Sequence, residues 1–167
     1  MSVNVVKNFS KSFDDTEISV EYIVIHHTAV SLEETLEIFD SEEQEVSAHL
    51  VIDTEGGVYE IVPCLDCNPK RAWHAGESKL VCGDEILERF NDFSIGIELV
   101  NLDGNIHKYP DKQIDVLITV IKDLQERYPS LSDPSRIIGH EEIAGFRGKI
   151  DPGKLFPWKK VREAVFG

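Results

Sequence analysis

Between Arg136 and Gly153 a single connection delivers an imidazole, an ammonium and a carboxylate: His140, Lys149 and Asp151. His and Asp are zinc ligands, and Lys can polarise a carbonyl or hold an oxyanion. A catalytic zinc takes three protein ligands and leaves its fourth position open, so this connection needs one more donor from elsewhere. The obvious donor is the pair His26-His27, which ends the apolar run 22–25. Strand alternation does not choose between the two, because both faces of that run look buried. The loop is not a helical H-E-x-x-H motif, since residue 144 is Ala. A lone Gly-His pair after a strand is more often a turn with a solvated imidazole. A further anomaly is Glu98, a carboxylate inside the apolar stretch 93–101. Such a glutamate is ordinarily salt-bridged or on a sheet edge.

Positioning these groups requires strands that end near one another. The stretch 18–26 alternates and then turns continuously apolar, which predicts a central strand covered on both faces. Ser31 and Glu34 form a capping box for a helix reaching Asp40, with Leu32, Thr35, Leu36 and Phe39 on one face. Residues 46–53 and 58–62 predict a hairpin across Thr54-Glu55-Gly56-Gly57. A long loop is expected over 63–75 and a short helical turn over 83–89. Residues 93–101 predict the second central strand, with Ile95, Ile97 and Leu99 on one face and Ser94, Gly96, Glu98 and Val100 on the other. A helix starts at Asp111 and stops at Pro129, a short strand covers 136–138, and a C-terminal helix covers 158–165. Residues 1–17 are expected to be an irregular arm or edge strand. The order implies a mixed α/β fold, one central mixed β-sheet flanked by helices, in a single domain over 1–167.

The chain has 167 residues, 41% apolar and 29% charged, the make-up of a soluble globular protein with a real core. Its net charge of −14 disfavours nucleic acid and anionic membrane surfaces as partners. No run is apolar and long enough to span a bilayer, and no secretory leader is visible, so a cytoplasmic location is expected, with export by a dedicated route as the alternative. The three cysteines, Cys64, Cys67 and Cys82, argue against a disulfide framework. Cys64-x-x-Cys67 lacks a second pair, and is read as a loop with incidental thiols.

Five blocks occur in order: Y-I-V-I-H-H-T-A (22–29), V-S-A-H (46–49), R-A-W-H-A-G (71–76), N-D-F-S-I-G-I-E-L (91–99), and G-H followed by K-I-D-P-G (139–153). Together they resemble the zinc-dependent N-acetylmuramoyl-L-alanine amidases, a family shared with peptidoglycan recognition proteins and phage lysozyme-type amidases. The resemblance is strongest to the cytoplasmic AmpD-like branch. It implies the amidase-like fold, one Zn²⁺ per chain bound by His26, His140 and Asp151, and catalytic roles for Glu98 and Lys149. It also implies a substrate groove to which His27, Trp73 and His74 belong. Arg89, just before the Glu98 strand, is a candidate partner for a peptide carboxylate, or else a solvated surface residue. His49 is read as a satisfied buried imidazole rather than a ligand.

The resemblance implies hydrolysis of the amide joining N-acetylmuramic or 1,6-anhydro-N-acetylmuramic acid to L-alanine, by a monomer acting on muropeptides. Glu98 is expected to be the general base and Lys149 to share the oxyanion's charge. Two departures from the AmpD-like branch leave intact peptidoglycan open beside soluble fragments. The segment before Val46 is short, and Glu45 stands where that branch carries a basic residue; His27 also replaces its Asn. A non-catalytic peptidoglycan-binding module is the alternative from another class. Such relatives typically lack a zinc ligand, whereas all three are present here. A lytic phage-type or effector amidase is the third reading.

Overall fold

The computed structural model describes residues 3–66 and 68–167. Cys67 lies outside the described residues, so the Cys64-x-x-Cys67 reading cannot be placed; Cys64 is buried.

The organising layer is a six-stranded mixed sheet. Its strands are β1 (Val5–Lys7), β3 (Tyr22–Ala29), β4 (Leu50–Ile52), β5 (Val58–Glu60), β9 (Ser94–Leu102) and β10 (Ile137–Gly139), in the order β1-β5-β4-β9-β3-β10. All neighbours are parallel except β4 and β5, which form the expected hairpin. Its turn closes at Gly56, whose φ of 85° a side chain would resist.

One face of the sheet is closed by α2 (Asp111–Arg127) and α4 (Trp158–Phe166). Ile114, Leu117, Ile121 and Leu124 of α2 pack on Ile23, Ile25, Ile95, Ile97 and Leu99, forming a continuous apolar core. The other face is covered differently. Tyr22, Val24, Phe90, Ile138 and Ile143 form one apolar cluster, and Phe39, Val51, Ile61 and Val100 another. Phe39 comes from α1 (Leu32–Asp40), whose Ser31–Glu34 capping box is formed as expected. Between the two clusters the sheet presents polar side chains, and the candidate site lies there.

Four local expectations are corrected. Residues 83–89 are not a helical turn. They belong to an antiparallel hairpin of β7 (Lys79–Cys82) and β8 (Glu85–Glu88), turning at Gly83 with φ 62°. Leu80 and Leu87 pair across it and face the core, while Val81 and Ile86 face solvent, which is the two-residue period of a strand. The 63–75 loop contains β6 (Lys70–Ala72), paired with β2 (Phe13–Glu17) from the N-terminal arm. The regular part of 46–53 is only the three residues of β4. The connection after β10 begins with a five-residue helix, α3 (His140–Ala144).

Candidate active site

Three adjacent parallel strands, β10, β3 and β9, end side by side. His26 of β3 sits in register with Glu98 of β9, and Gly139 of β10 with Ile25 of β3, so His140 follows beside His26. The carboxyl ends of parallel strands are where open α/β sheets bind ligands. Asp151 is brought back to this edge by its loop. Its carbonyl accepts the Glu141 N–H (3.0 Å), and the next carbonyl, of Pro152, accepts the Tyr109 hydroxyl (2.7 Å).

His26, His140 and Asp151 are buried and converge, with their ligand atoms all within 4.8 Å of one another. The hydrogen bonds behind the rings decide which nitrogens face inward. The Ser94 carbonyl can only accept, so His74 Nε2–H donates to it (3.3 Å). His74 Nδ1 is then an acceptor and takes the His26 Nε2–H (3.0 Å). His140 Nε2–H donates to the Ala75 carbonyl (3.1 Å). Both ligand rings therefore present the lone pair of Nδ1, and both aim it at Asp151 Oδ2, at 3.0 and 3.1 Å. Three electron-rich atoms facing one another need a cation between them. A tetrahedral zinc with bonds near 2.0–2.1 Å spaces its ligand atoms about 3.3 Å apart. The donor set and spacing fit such an ion, and the outer hydrogen bonds are of the kind that orient metal-bound imidazoles. Burial lowers the pKa of His26 to about 4, which keeps the ring neutral at physiological pH against the pull of the nearby Asp151 carboxylate.

Glu98 and Lys149 line the same cleft, which measures ≈ 250 Å³. Glu98 Oε2 is buried without a hydrogen-bond partner among the described residues. Its pKa is raised to about 8, first by burial and then by the Asp151 charge, with Lys149 pulling it back. A cation at the neighbouring ligands would lower it further by the same Coulomb logic. Gly96, two residues earlier on the same face, makes room for His74: a Cβ there would lie 2.4 Å from the His74 ring.

The other expected residues separate. His27 points to the face opposite His26 and lies under Gly104, where a Cβ would come within 2.6 Å of its ring. It still lines the cleft, and neither ring nitrogen has a hydrogen-bond partner among the described residues. Trp73 lines an adjoining lobe, and His74 lies on the floor of both lobes, behind His26. Arg89 is not brought to the cleft. It adopts φ 62°, its side chain is 76% exposed, and it pairs with Asp92 at 3.0 Å. His49 is a satisfied core residue, with Nδ1 accepting the Gly96 N–H (2.9 Å) and Nε2–H donating to the Lys70 carbonyl (2.7 Å). Sequence reasoning missed that His74 orients His26, and it missed Arg147. The only available signal for Arg147 was its position two residues before Lys149.

Burial lowers the pKa of His49 to about 4, so the folded state resists a proton that the unfolded chain accepts near 6.5. Stability is then full above about pH 6.5 and falls as pH drops towards 4. At pH 5 this one residue is expected to cost about 2 kcal/mol. Urea midpoints of the metal-free protein and of His49→Gln, each at pH 7 and pH 5, check this, because Glu98 titrates in the opposite sense in both proteins. The unaltered protein's advantage over the variant should shrink by about that amount at pH 5, and an unchanged difference would show that His49 is not titrating.

A family model described as N-acetylmuramoyl-L-alanine amidase matches residues 16–154. The 1,6-anhydro-N-acetylmuramyl-L-alanine amidase AmpD of Enterobacter cloacae is 43% identical over 115 residues, covering 69% of this chain and 54% of that protein. The chain thus spans about half the length of this curated relative. Among solved structures, a selenomethionine AmpD derivative superposes with a TM-score of 0.79 at 30% identity, covering 99% of both chains. The Escherichia coli amidase AmiD, in complex with anhydro-N-acetylmuramic acid-L-Ala-D-γ-Glu-L-Lys, superposes at 0.73 with 30% identity, covering 89% of this chain and 58% of that one.

Proposed function

Because the chain belongs to the N-acetylmuramoyl-L-alanine amidase family, we propose that it hydrolyses the amide between N-acetylmuramic or 1,6-anhydro-N-acetylmuramic acid and L-alanine, using one zinc ion held by His26, His140 and Asp151. The observation that carries this reading is the pair of Nδ1 lone pairs aimed at one carboxylate, with an unpartnered Glu98 oxygen in the same cleft. The likeness to AmpD supports anhydro-muropeptides as the substrate, and the AmiD ligand supports a peptide beginning L-Ala-D-γ-Glu. Among the described residues no helix is long and apolar enough to cross a membrane.

Zinc in this position would supply Lewis acidity, polarising the lactyl carbonyl and making water nucleophilic near neutral pH. Glu98 takes the proton of the attacking water as the new C–O bond forms. The Lys149 ammonium faces the same cleft and stabilises the charge on the carbonyl oxygen. As the C–N bond breaks, Glu98 returns the proton to the leaving amine of L-Ala. His27, Trp73 and His74 border the space that the substrate occupies.

The direct test is mass spectrometry after incubation with 1,6-anhydro-N-acetylmuramyl tripeptide and, separately, with intact sacculi. The expected products are a sugar acid bearing a free lactyl carboxylate and a peptide with a free L-Ala amine. Binding without either product would favour the non-catalytic module. Efficient release from sacculi with little action on the soluble fragment would assign the chain to wall lysis.

Lys149→Met keeps the aliphatic stem and removes the charge. Its kcat is expected to fall about 10²–10³-fold with little change in zinc content or KM. Steady-state kinetics with metal analysis check this, and an unchanged kcat would remove Lys149 from the mechanism.

A further inference from the structure

The cleft continues into a second lobe of ≈ 300 Å³, lined by Glu45, Trp73, Asn91, Arg147 and Lys149 among others. His74 and His140 line both lobes, so the second opens directly beside the ligand set. Arg147 is built into this lobe. Its Nε–H donates to the Glu77 carbonyl (2.7 Å), and Nη2 donates to the Ala75 carbonyl (2.9 Å). The guanidinium lies against Gly76, where φ is 60° and a Cβ would stand 2.6 Å from Nη2. With one edge of the fork tied to the backbone, Nη1 and the second Nη2 hydrogen remain, an end-on pair suited to a carboxylate.

The chain has 31 acidic residues against 17 basic ones. Even so, among the described residues no carboxylate comes within ion-pair distance of Arg147, and Glu45 in the same lobe does not pair with it. Asn91 adds a second donor. Its Oδ1 accepts the His74 and Ala75 N–H groups (3.1 and 2.8 Å), which fixes the amide and leaves its NH₂ group unused. A positioned guanidinium and an amide donor beside a hydrolytic centre call for an anion on the substrate. The lactyl amide and sugar hydroxyls offer none, whereas a γ-linked glutamate keeps its α-carboxylate free. That carboxylate belongs to the residue after L-Ala, about 7 Å of extended chain from the scissile bond. Arg147 is likewise two residues along the chain from Lys149.

We infer that the second lobe is the subsite for the second peptide residue, and that Arg147 reads its free α-carboxylate. This rests on the amidase reading above. The consequence is a preference for peptides carrying D-γ-glutamate over those carrying its α-amide, D-isoglutamine.

The test compares kcat/KM for anhydro-muramyl tripeptides that differ only in that group. The unaltered protein is expected to favour the free acid by roughly ten- to a hundredfold, the range of a charge-assisted hydrogen bond. Arg147→Gln should slow the acid substrate by that factor and leave the amide substrate nearly untouched, so a general disturbance of the loop is recognised by its effect on both. Arg147→Lys keeps the charge without the fork and should retain part of the preference. Equal rates on both substrates in the unaltered protein, or equal slowing of both by Arg147→Gln, would overturn the inference. If the unaltered protein cleaves neither substrate, the amidase reading has failed instead. Calorimetric binding of the free tripeptide acid and amide then reads the subsite alone: tighter binding of the acid, lost in Arg147→Gln, supports it, and equal binding overturns it.

Discussion

Glu98→Gln is expected to lower turnover by about 10²–10⁴-fold, the usual loss for a general base. The substitution keeps the size and polarity of the side chain but cannot accept the proton. Fold and zinc content should survive, because Glu98 is not among the three converging ligands and its Oε2 has no hydrogen-bond partner to lose. The pH profile separates this role from that of Lys149. Glu98 works only when deprotonated, and its pKa lies near 8 without a cation beside it. The rate should therefore rise with pH through an acidic limb set by Glu98, at or below about pH 8. That limb should vanish in Glu98→Gln and survive in Lys149→Met. Near-normal turnover in Glu98→Gln would mean that another group activates the water.

The other large effect is loss of a ligand. Asp151→Ala and His140→Ala each leave two protein donors, too few for a tightly held catalytic zinc, and turnover should fall to the uncatalysed background. Removing His74 should be milder. It takes away the acceptor that orients His26, and outer partners of this kind typically contribute 10–100-fold in metal affinity. Zinc titration of the three variants reads the difference. An Asp151→Ala protein that binds zinc as tightly as His74→Ala would contradict the ligand set.

The long elements were legible because their periods are long. The helix Asp111–Arg127 and the two central strands carry enough alternation or helical spacing to be read from the chain. The capping box at Ser31 was legible because its two contacts are local. The hairpin at Gly83 was not, because each arm is four residues and only one side of it meets the core. The five-residue helix after Gly139 is too short to show a period. Alternation left His26 and His27 equal. What separates them is three-dimensional: His26 faces the gap between two apolar clusters, where the His140 and Asp151 segments arrive, while His27 faces Gly104. The second lobe was illegible for the same reason, since Glu45, Trp73, Asn91 and Arg147 meet only after folding. Arg89 illustrates the converse. Its place in the chain suggested the groove, but a left-handed backbone turns it to Asp92 and solvent.

The ligand assignment is tested most directly by zinc stoichiometry in the unaltered protein, His26→Ala and His27→Ala, each purified under the same conditions and confirmed folded by circular dichroism. The account predicts one zinc per chain in the unaltered protein and in His27→Ala, and almost none in His26→Ala. Full zinc in His26→Ala, or its loss in His27→Ala alone, would contradict it.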